Sequence, residues 1–156
     1  MNANAYQPPK SDLGVDVRKP GSTFRAVLVG VLIELFGTLL VGLLIGVVFG
    51  FFMAAQGVSA EDIQAKFEQM DPFSSFALIS NMAGFLVSLL AGYVCAWIAN
   101  VNKYKPAYIL AGISLSLGLL SGIGTTDWFT LLLLSLISAG AVLAGAKLHN
   151  RNFSSN

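Results

Sequence analysis

The 27-residue stretch AVLVGVLIELFGTLLVGLLIGVVFGFF, Ala26–Phe52, decides the fold of this chain. Crossing roughly 30 Å of hydrocarbon takes about 20 apolar residues in a helix that rises 1.5 Å per residue. The stretch is longer than that, it is apolar on all sides, and its single charged residue is Glu34. It therefore predicts a transmembrane helix with one acidic side chain inside the membrane.

Three further apolar runs follow, so the predicted spans are 26–52, 73–98, 107–123 and 128–146. Only 11% of the 156 residues are charged, whereas soluble domains average roughly 25%. The alternating pattern of membrane β-barrels is not visible in these runs. The sequence predicts an all-α membrane protein, a four-transmembrane-helix bundle over residues 23–149.

The basic residues are divided unequally between the two sides of the predicted membrane. Eight of the nine Lys and Arg residues fall in the terminal segments and the second loop, and only Lys66 falls on the opposite side. Because cytoplasmic loops carry the excess of Lys and Arg, we expect both termini to be cytoplasmic. The net charge of +1 gives no reason to expect nucleic acid as a partner. The expected partners are the lipid bilayer and either a second copy of the chain or another membrane protein.

The segments outside the spans carry local signals of their own. Residues 1–22 are polar and rich in proline, which predicts a disordered cytoplasmic tail, and 150–156 form a second tail. No cleavable signal peptide is apparent, so the first span is expected to act as an uncleaved signal anchor. Asp71 and Pro72 are predicted to cap and begin the second span.

The first outer loop has the pattern of a short amphipathic helix. Ser59 followed by Asp62 resembles a capping box. Apolar residues then recur at helical spacing, at Ile63, Phe67 and Met70. We expect a helix at 59–70 that lies on the outer membrane surface.

Small residues recur at intervals of four in the predicted spans, as in a glycine zipper. In lipid such residues allow helix backbones to approach closely. The glycines expected at helix contacts are Gly30, Gly42, Gly46, Gly50, Gly84, Gly92, Gly118 and Gly122. The pattern leaves open whether these contacts form within one chain or between chains.

Glu34 lies about 12 Å along the helix axis from Ala26, too deep for its short side chain to reach the interface. An ionised carboxylate in lipid is costly, so we expect Glu34 to be protonated, paired, or wetted by a cavity. Counting inward from the same membrane face brings five serines to a similar depth: Ser88, Ser114, Ser116, Ser135 and Ser138. The hypothetical proton or ion site comprises Glu34, Thr38, Ser88, Ser114 and Ser138. The competing hypothesis is a neutral, structural Glu34 hydrogen-bonded to one of these serines.

Two segments resemble known proteins. Glu34, Gly37 and Thr38 within LIELFGTLL, 32–40, resemble the first-span motif of the small multidrug resistance exporters. Those are four-span homodimers in which the matching Glu exchanges protons for cationic drugs, so the resemblance implies proton exchange at Glu34. The leader NAYQPPKSDLG, 4–14, resembles those of many small bacterial inner-membrane proteins, which implies that location and no particular activity.

Catalysis is not expected from this sequence. A membrane hydrolase needs a nucleophile with its base, paired carboxylates or metal ligands. His149 is placed alone at the cytoplasmic end, Glu34 has no second acid at its depth, and Cys95 is the single cysteine. We expect no catalytic residue, metal or cofactor. The favoured function is that of a structural or accessory membrane subunit; the alternative is a small proton-coupled transporter or channel that uses Glu34.

Overall fold

The computed structural model describes residues 21–100, 104–122 and 127–153, and this part of the chain is helical throughout, apart from its turns. The helices are α1, Thr23–Ala55; α2, Ala60–Glu68; α3, Ser75–Ala99; α4, Tyr104–Ser121; and α5, Trp128–Phe153. Residues 1–20 of the predicted disordered tail lie outside the described ranges.

Three of the helices are long and apolar enough to cross a membrane, at Thr23–Ala55, Ser75–Ala99 and Trp128–Asn150. α4 is also apolar but shorter. α5 continues to Phe153, beyond the predicted end of the fourth span at 146. The reason is that hydropathy marks where a segment leaves hydrocarbon, whereas the helical hydrogen bonds continue into polar sequence.

Local capping explains most of the helix starts. The Ser22 hydroxyl accepts from the Arg25 N–H at 3.4 Å. Ser59 accepts from the Asp62 N–H at 3.2 Å and donates to Asp62 Oδ2 at 2.7 Å, so the predicted capping pair is present at the start of α2. The chain leaves α3 through Asn100 at a φ of 59°, a conformation that Asn tolerates better than most residues.

The predicted start of α3 is wrong. The Asp71 carboxylate accepts from the Phe73 N–H at 2.9 Å, which closes a turn that includes Pro72. Ser74 then caps the helix by accepting from the Ala77 N–H at 3.3 Å. Asp71 therefore stabilises the turn, and Ser74 is the N-cap.

The helix directions follow from which residues meet. Contact pairs whose numbers rise together mark parallel helices, and pairs that run oppositely mark antiparallel ones. These pairs are Glu34–Ser88 and Phe49–Phe76 for α1 and α3, Ser88–Ser138 and Tyr93–His149 for α3 and α5, and Gly118–Ser135 and Gly122–Leu131 for α4 and α5. The four apolar helices therefore alternate in direction, with the α2 loop at one end and Gly21 beside the C-terminus of α3 at the other.

The closest helix contact brings the backbones of α3 and α5 together. A methyl group added at Gly92 would overlap the carbonyl oxygen of Val142, and one added at Gly145 would overlap that of Leu89. The surrounding core is built mainly of small side chains, with Ala91 and Cys95 fully buried. Without a hydrophobic effect between helices in lipid, such close van der Waals contact provides much of the stabilisation.

α2 packs onto the ends of α1 and α3 through aromatic rings. Phe67 lies edge-on to Phe49, with ring centroids 5.8 Å apart, and to Phe76 at 5.5 Å. The Phe49 and Phe76 centroids are 4.3 Å apart. The amphipathic helix is thus held to the bundle as well as being shaped for a membrane surface.

Replacing Gly92 or Gly145 by Ala should destabilise the bundle by about 1–3 kcal/mol, because the added methyl group meets backbone that has no rotamer to change. Gly140→Ala is the matched control within α5, since nothing lies within 4 Å of its added methyl group. It should be neutral or stabilising by up to about 1 kcal/mol. Unfolding in mixed micelles measures both, and equal effects of the three changes would contradict the packing described here.

A pH effect is expected at the start of α5. The Thr130 N–H donates to Asp127 Oδ2 at 2.9 Å and holds the pKa of Asp127 below its ordinary value of 3.8. A carboxyl whose pKa is lower in the folded state stabilises that state above its unfolded pKa, and the stabilisation disappears as pH falls through the folded pKa. Between about pH 5 and pH 2 the melting temperature of the wild type should therefore fall more than that of Asp127→Asn, which keeps a capping side chain.

Candidate functional site

Glu34 lies where α1 approaches two other helices at once. One turn before it, Gly30 is buried, and a Cβ there would lie 2.6 Å from Leu110 of α4 and 3.4 Å from Cys95 of α3. Glycine at this position therefore lets α1 settle against both helices. The next turn carries Glu34 into the same seam.

The Glu34 carboxyl is held by hydroxyl groups from two helices. Ser88 of α3 donates to Oε1 at 3.0 Å, and Ser114 of α4 bonds to Oε2. Ser88 also meets Ser138 of α5, with 3.0 Å between the two oxygens. Four of the five predicted site residues thus form one hydrogen-bonded group that links all four long helices.

A cavity of about 520 Å³ adjoins this group. Its lining residues are Glu34, Leu35, Thr38, Leu39, Ser80, Asn81, Gly84, Phe85, Ser88, Ser114, Leu117, Gly118 and Ser138. It follows α3 from Ser88 to Ser80, about 12 Å along the helix axis. Thr38, the fifth predicted site residue, is in this lining.

The cavity has polar side chains from α1 and α3 in its wall and apolar ones at its edge. Within the described ranges, Thr38, Ser80 and Asn81 make no side-chain hydrogen bond to another residue, so their polar groups are available to whatever occupies the space. At the edge, Leu39 is 68% exposed and Leu117 is 37% exposed. These two side chains belong to α1 and α4, beyond the point where Glu34 meets Ser114.

Two serines predicted at the same depth lie outside the group. Ser116 faces away and donates to the Gly112 carbonyl at 2.9 Å. Ser135 is buried against Gly118, on the α4 side of α5. Depth alone could not separate these from Ser114 and Ser138, because it carries no information on rotation about the helix axis.

The glycines expected at helix contacts divide into two sets. Gly30, Gly92, Gly118 and Gly122 lie against neighbouring helices, whereas Gly42, Gly46, Gly50 and Gly84 have no atom within 4 Å of an added Cβ. Gly84 borders the cavity. Gly145, which follows Ala141 at the same spacing of four, also makes a close contact, with the Leu89 carbonyl of α3.

The prediction that His149 lies alone in the cytoplasmic tail is wrong. His149 is 3% exposed in α5, and its ring lies edge-on to Tyr93 with centroids 5.0 Å apart. No sequence signal indicated this contact, because the fourth span was predicted to end before His149. Among the described residues, no group of three His, Cys, Asp or Glu side chains is placed to hold a metal ion.

No family model, curated protein or solved structure matches this chain. The site must therefore be interpreted from its own chemistry. It offers one carboxyl that can bind and release a proton, three hydroxyls bonded to it or to each other, and a cavity with further hydrogen-bonding groups.

Glu34→Leu should destabilise the bundle by about 1–3 kcal/mol, because it leaves both partner serines without the carboxyl to which they bond. Glu34→Gln keeps the shape and can still accept from Ser88 and donate to Ser114, so we expect a change within about 1 kcal/mol. Thr38→Val, which removes a hydroxyl with no partner among the described residues, is the control and should have little effect. Unfolding in mixed micelles compares the three, and equal stability of Glu34→Leu and the wild type would contradict the bonding described here.

Proposed function

We propose that this chain is a small proton-coupled membrane transporter in which Glu34 binds and releases the proton. The observation that carries the proposal is a single carboxyl group at the meeting point of four apolar helices, bonded by serines and facing a cavity of about 520 Å³. Acidic side chains inside a membrane are costly and usually serve transport or proton transfer.

The cavity favours transport over a purely structural role for Glu34. A carboxyl that only joined helices would need its hydrogen-bond partners and no adjoining space. Here the space is large enough for several waters, each of which occupies about 30 Å³ in the liquid. Thr38, Ser80 and Asn81 supply polar partners along its wall.

The proposed topology has four spans. α4 has 18 residues and is about 27 Å long, close to the roughly 30 Å of a hydrocarbon core. Helix directions alternate, and the basic residues Arg25, Lys105 and Lys147 belong to the same end of the bundle. Under the positive-inside rule this end is cytoplasmic, with both termini. The leader resemblance supports a bacterial inner membrane.

The same site supports a role without catalysis. Among the described residues no second carboxyl bonds to Glu34, and the serines that bond to it contact a group that can accept or release a proton. We therefore infer proton coupling and not bond cleavage as its chemistry.

The test is proton flux in proteoliposomes that contain a trapped pH-sensitive dye. With an imposed pH gradient, addition of tetraphenylphosphonium, a cationic probe suggested by the exporter resemblance, should accelerate dissipation of the gradient by wild-type protein. Glu34→Gln should abolish the acceleration, because an amide side chain does not bind and release a proton in the pH range of the gradient.

Ser116→Ala is the matched control, since Ser116 lies on α4 and bonds only the Gly112 carbonyl. It should retain wild-type flux. Equal flux from wild type and Glu34→Gln would contradict the proposal, as would wild-type flux no greater than that of protein-free liposomes across a panel of cationic, neutral and anionic probes.

The second candidate function is that of an accessory subunit, and a separate observation favours it. Gly42, Gly46 and Gly50 have no atom within 4 Å of an added Cβ, and the adjoining Phe51 is 78% exposed. No described residue covers this face of α1 at these glycines, so it can pack against a second copy or another membrane protein. Gly46→Leu should then lower the mass of the particle measured in mild detergent; an unchanged mass would count against assembly through this face.

A further inference from the structure

The Ser114 hydroxyl has one proton and two possible acceptors. Its oxygen lies 3.0 Å from the Leu110 carbonyl oxygen, one turn back along α4, and is also bonded to Glu34 Oε2. A hydroxyl donates one hydrogen bond and can accept two. A backbone carbonyl can only accept, so Ser114 makes a full two-centre hydrogen bond at both contacts only if Glu34 supplies the proton between Oε2 and the Ser114 oxygen.

The same count of hydroxyl protons applies to Ser88, which bonds to the other oxygen of Glu34. Ser88 donates its single proton either to Glu34 Oε1 or to Ser138. If Ser138 donates to Ser88, then Ser88 donates to Oε1, and both contacts are satisfied. Oε1 is thereby an acceptor, which leaves Oε2 as the oxygen that carries the acid proton.

We propose that Ser114 is the positioning residue that couples the protonation of Glu34 to α4, an inference that rests on the proposed proton-coupled function. In the protonated state the hydrogen bonds run in one direction, from Ser138 through Ser88 to Oε1, and from Oε2 through Ser114 to the Leu110 carbonyl. Every polar atom of the group then has a partner, as a polar group in lipid requires.

Loss of the proton from Glu34 reverses the direction of one hydrogen bond in this series, the one between Oε2 and Ser114. The O–H bond at Oε2 breaks, and the proton passes to water in the cavity as hydronium while its electron pair stays on the carboxylate. Oε2 is then only an acceptor, so the Ser114 proton turns from the Leu110 carbonyl to Oε2. The carboxylate gains a charge-assisted hydrogen bond, and α4 loses its back-bond.

The position of this back-bond explains how the change would reach the helix packing. Serines that bond the carbonyl four residues back bend helices slightly. Leu110, whose carbonyl is involved, packs with its side chain on Gly30 of α1. Proton release therefore acts on α4 one turn from Ser114, at the place where α4 contacts α1.

No described charged side chain competes with the serines for Glu34. α3 contains no charged residue, and those of α4 and α5 lie near the helix ends, at Lys105, Lys147 and Arg151. The nearest titratable groups on the packed helices are Cys95 and Tyr93, more than one turn along α3 from Ser88. The chain of hydroxyls is thus the main influence of neighbouring helices on this carboxyl.

The test is infrared difference spectroscopy of protein reconstituted in lipid at neutral pH in deuterated buffer, with Glu34→Gln as the reference. The wild type should show the C=O and O–D bands of a protonated carboxyl. Ser114→Ala should move the O–D band to higher wavenumber, because the acid loses its acceptor. Ser88→Ala should mainly move the C=O band, because Oε1 loses its donor.

Two further variants on α4 separate positioning from general damage. Ser116→Ala removes an equivalent back-bond that is remote from Glu34, and should leave both bands unchanged. Ser114→Thr keeps the hydroxyl at a position that lines the cavity, and should restore the O–D band. With a transported probe, Ser114→Ala should lower flux roughly tenfold, since a hydrogen bond to a charged group is lost.

The spectra test the Ser114 hydrogen bond, and the flux separately tests the transport function. A carboxylate band in place of the protonated one, an O–D band unmoved by Ser114→Ala, or an equal shift in Ser116→Ala would overturn the Ser114 assignment even if flux depends on Glu34. The expected band shifts without any Glu34-dependent flux would leave the hydrogen-bond chain in place and reject the transport function, and with it the coupling role of Ser114.

Discussion

The backbone contact between α3 and α5 is the constraint on which the site depends. Gly92 and Gly145 allow α3 and α5, which run parallel to each other and antiparallel to α1 and α4, to meet carbonyl to Cα with no side chain between them. Ser88 precedes Gly92 by one turn, and Ser138 precedes Val142 by one turn. The contact therefore fixes the 3.0 Å distance between the two hydroxyl oxygens and presents Ser88 to Glu34.

Lipid makes this arrangement a requirement for Glu34. In water the carboxyl would be solvated wherever it lay, whereas in hydrocarbon each of its oxygens needs a partner from the protein or from a water-filled cavity. Ser88 and Ser114 provide one partner each from different helices. Assembly of the polar site and packing of the bundle are consequently the same event, and the cavity is the only part of the site that packing leaves open among the described residues.

The sequence predicts the helices and the depth of the site well, because both follow from distance along an axis. Glu34 and the serines opposite it could be assigned to one layer by counting residues. Rotation about the axis could not be assigned in this way: Ser114 and Ser116 are two residues and therefore about 200° apart on α4, and only Ser114 meets Glu34. The α3 start was missed because Ser74 competes with Asp71 for the capping role, and His149 was missed because hydropathy does not report where a helix ends.

Disulfide trapping between α3 and α5 tests the central claim most directly. In a Cys95→Ala background, Ser88→Cys combined with Ser138→Cys places two thiols where the hydroxyls are now 3.0 Å apart, and a disulfide requires Cβ atoms about 3.5–4.5 Å apart. Mild oxidation in native membranes should give rapid and nearly complete bridging within one chain, while the pair Ser88→Cys and Gly140→Cys should bridge poorly. Absence of the intramolecular bridge, or equal bridging of both pairs, would contradict the α3–α5 contact and the site built on it.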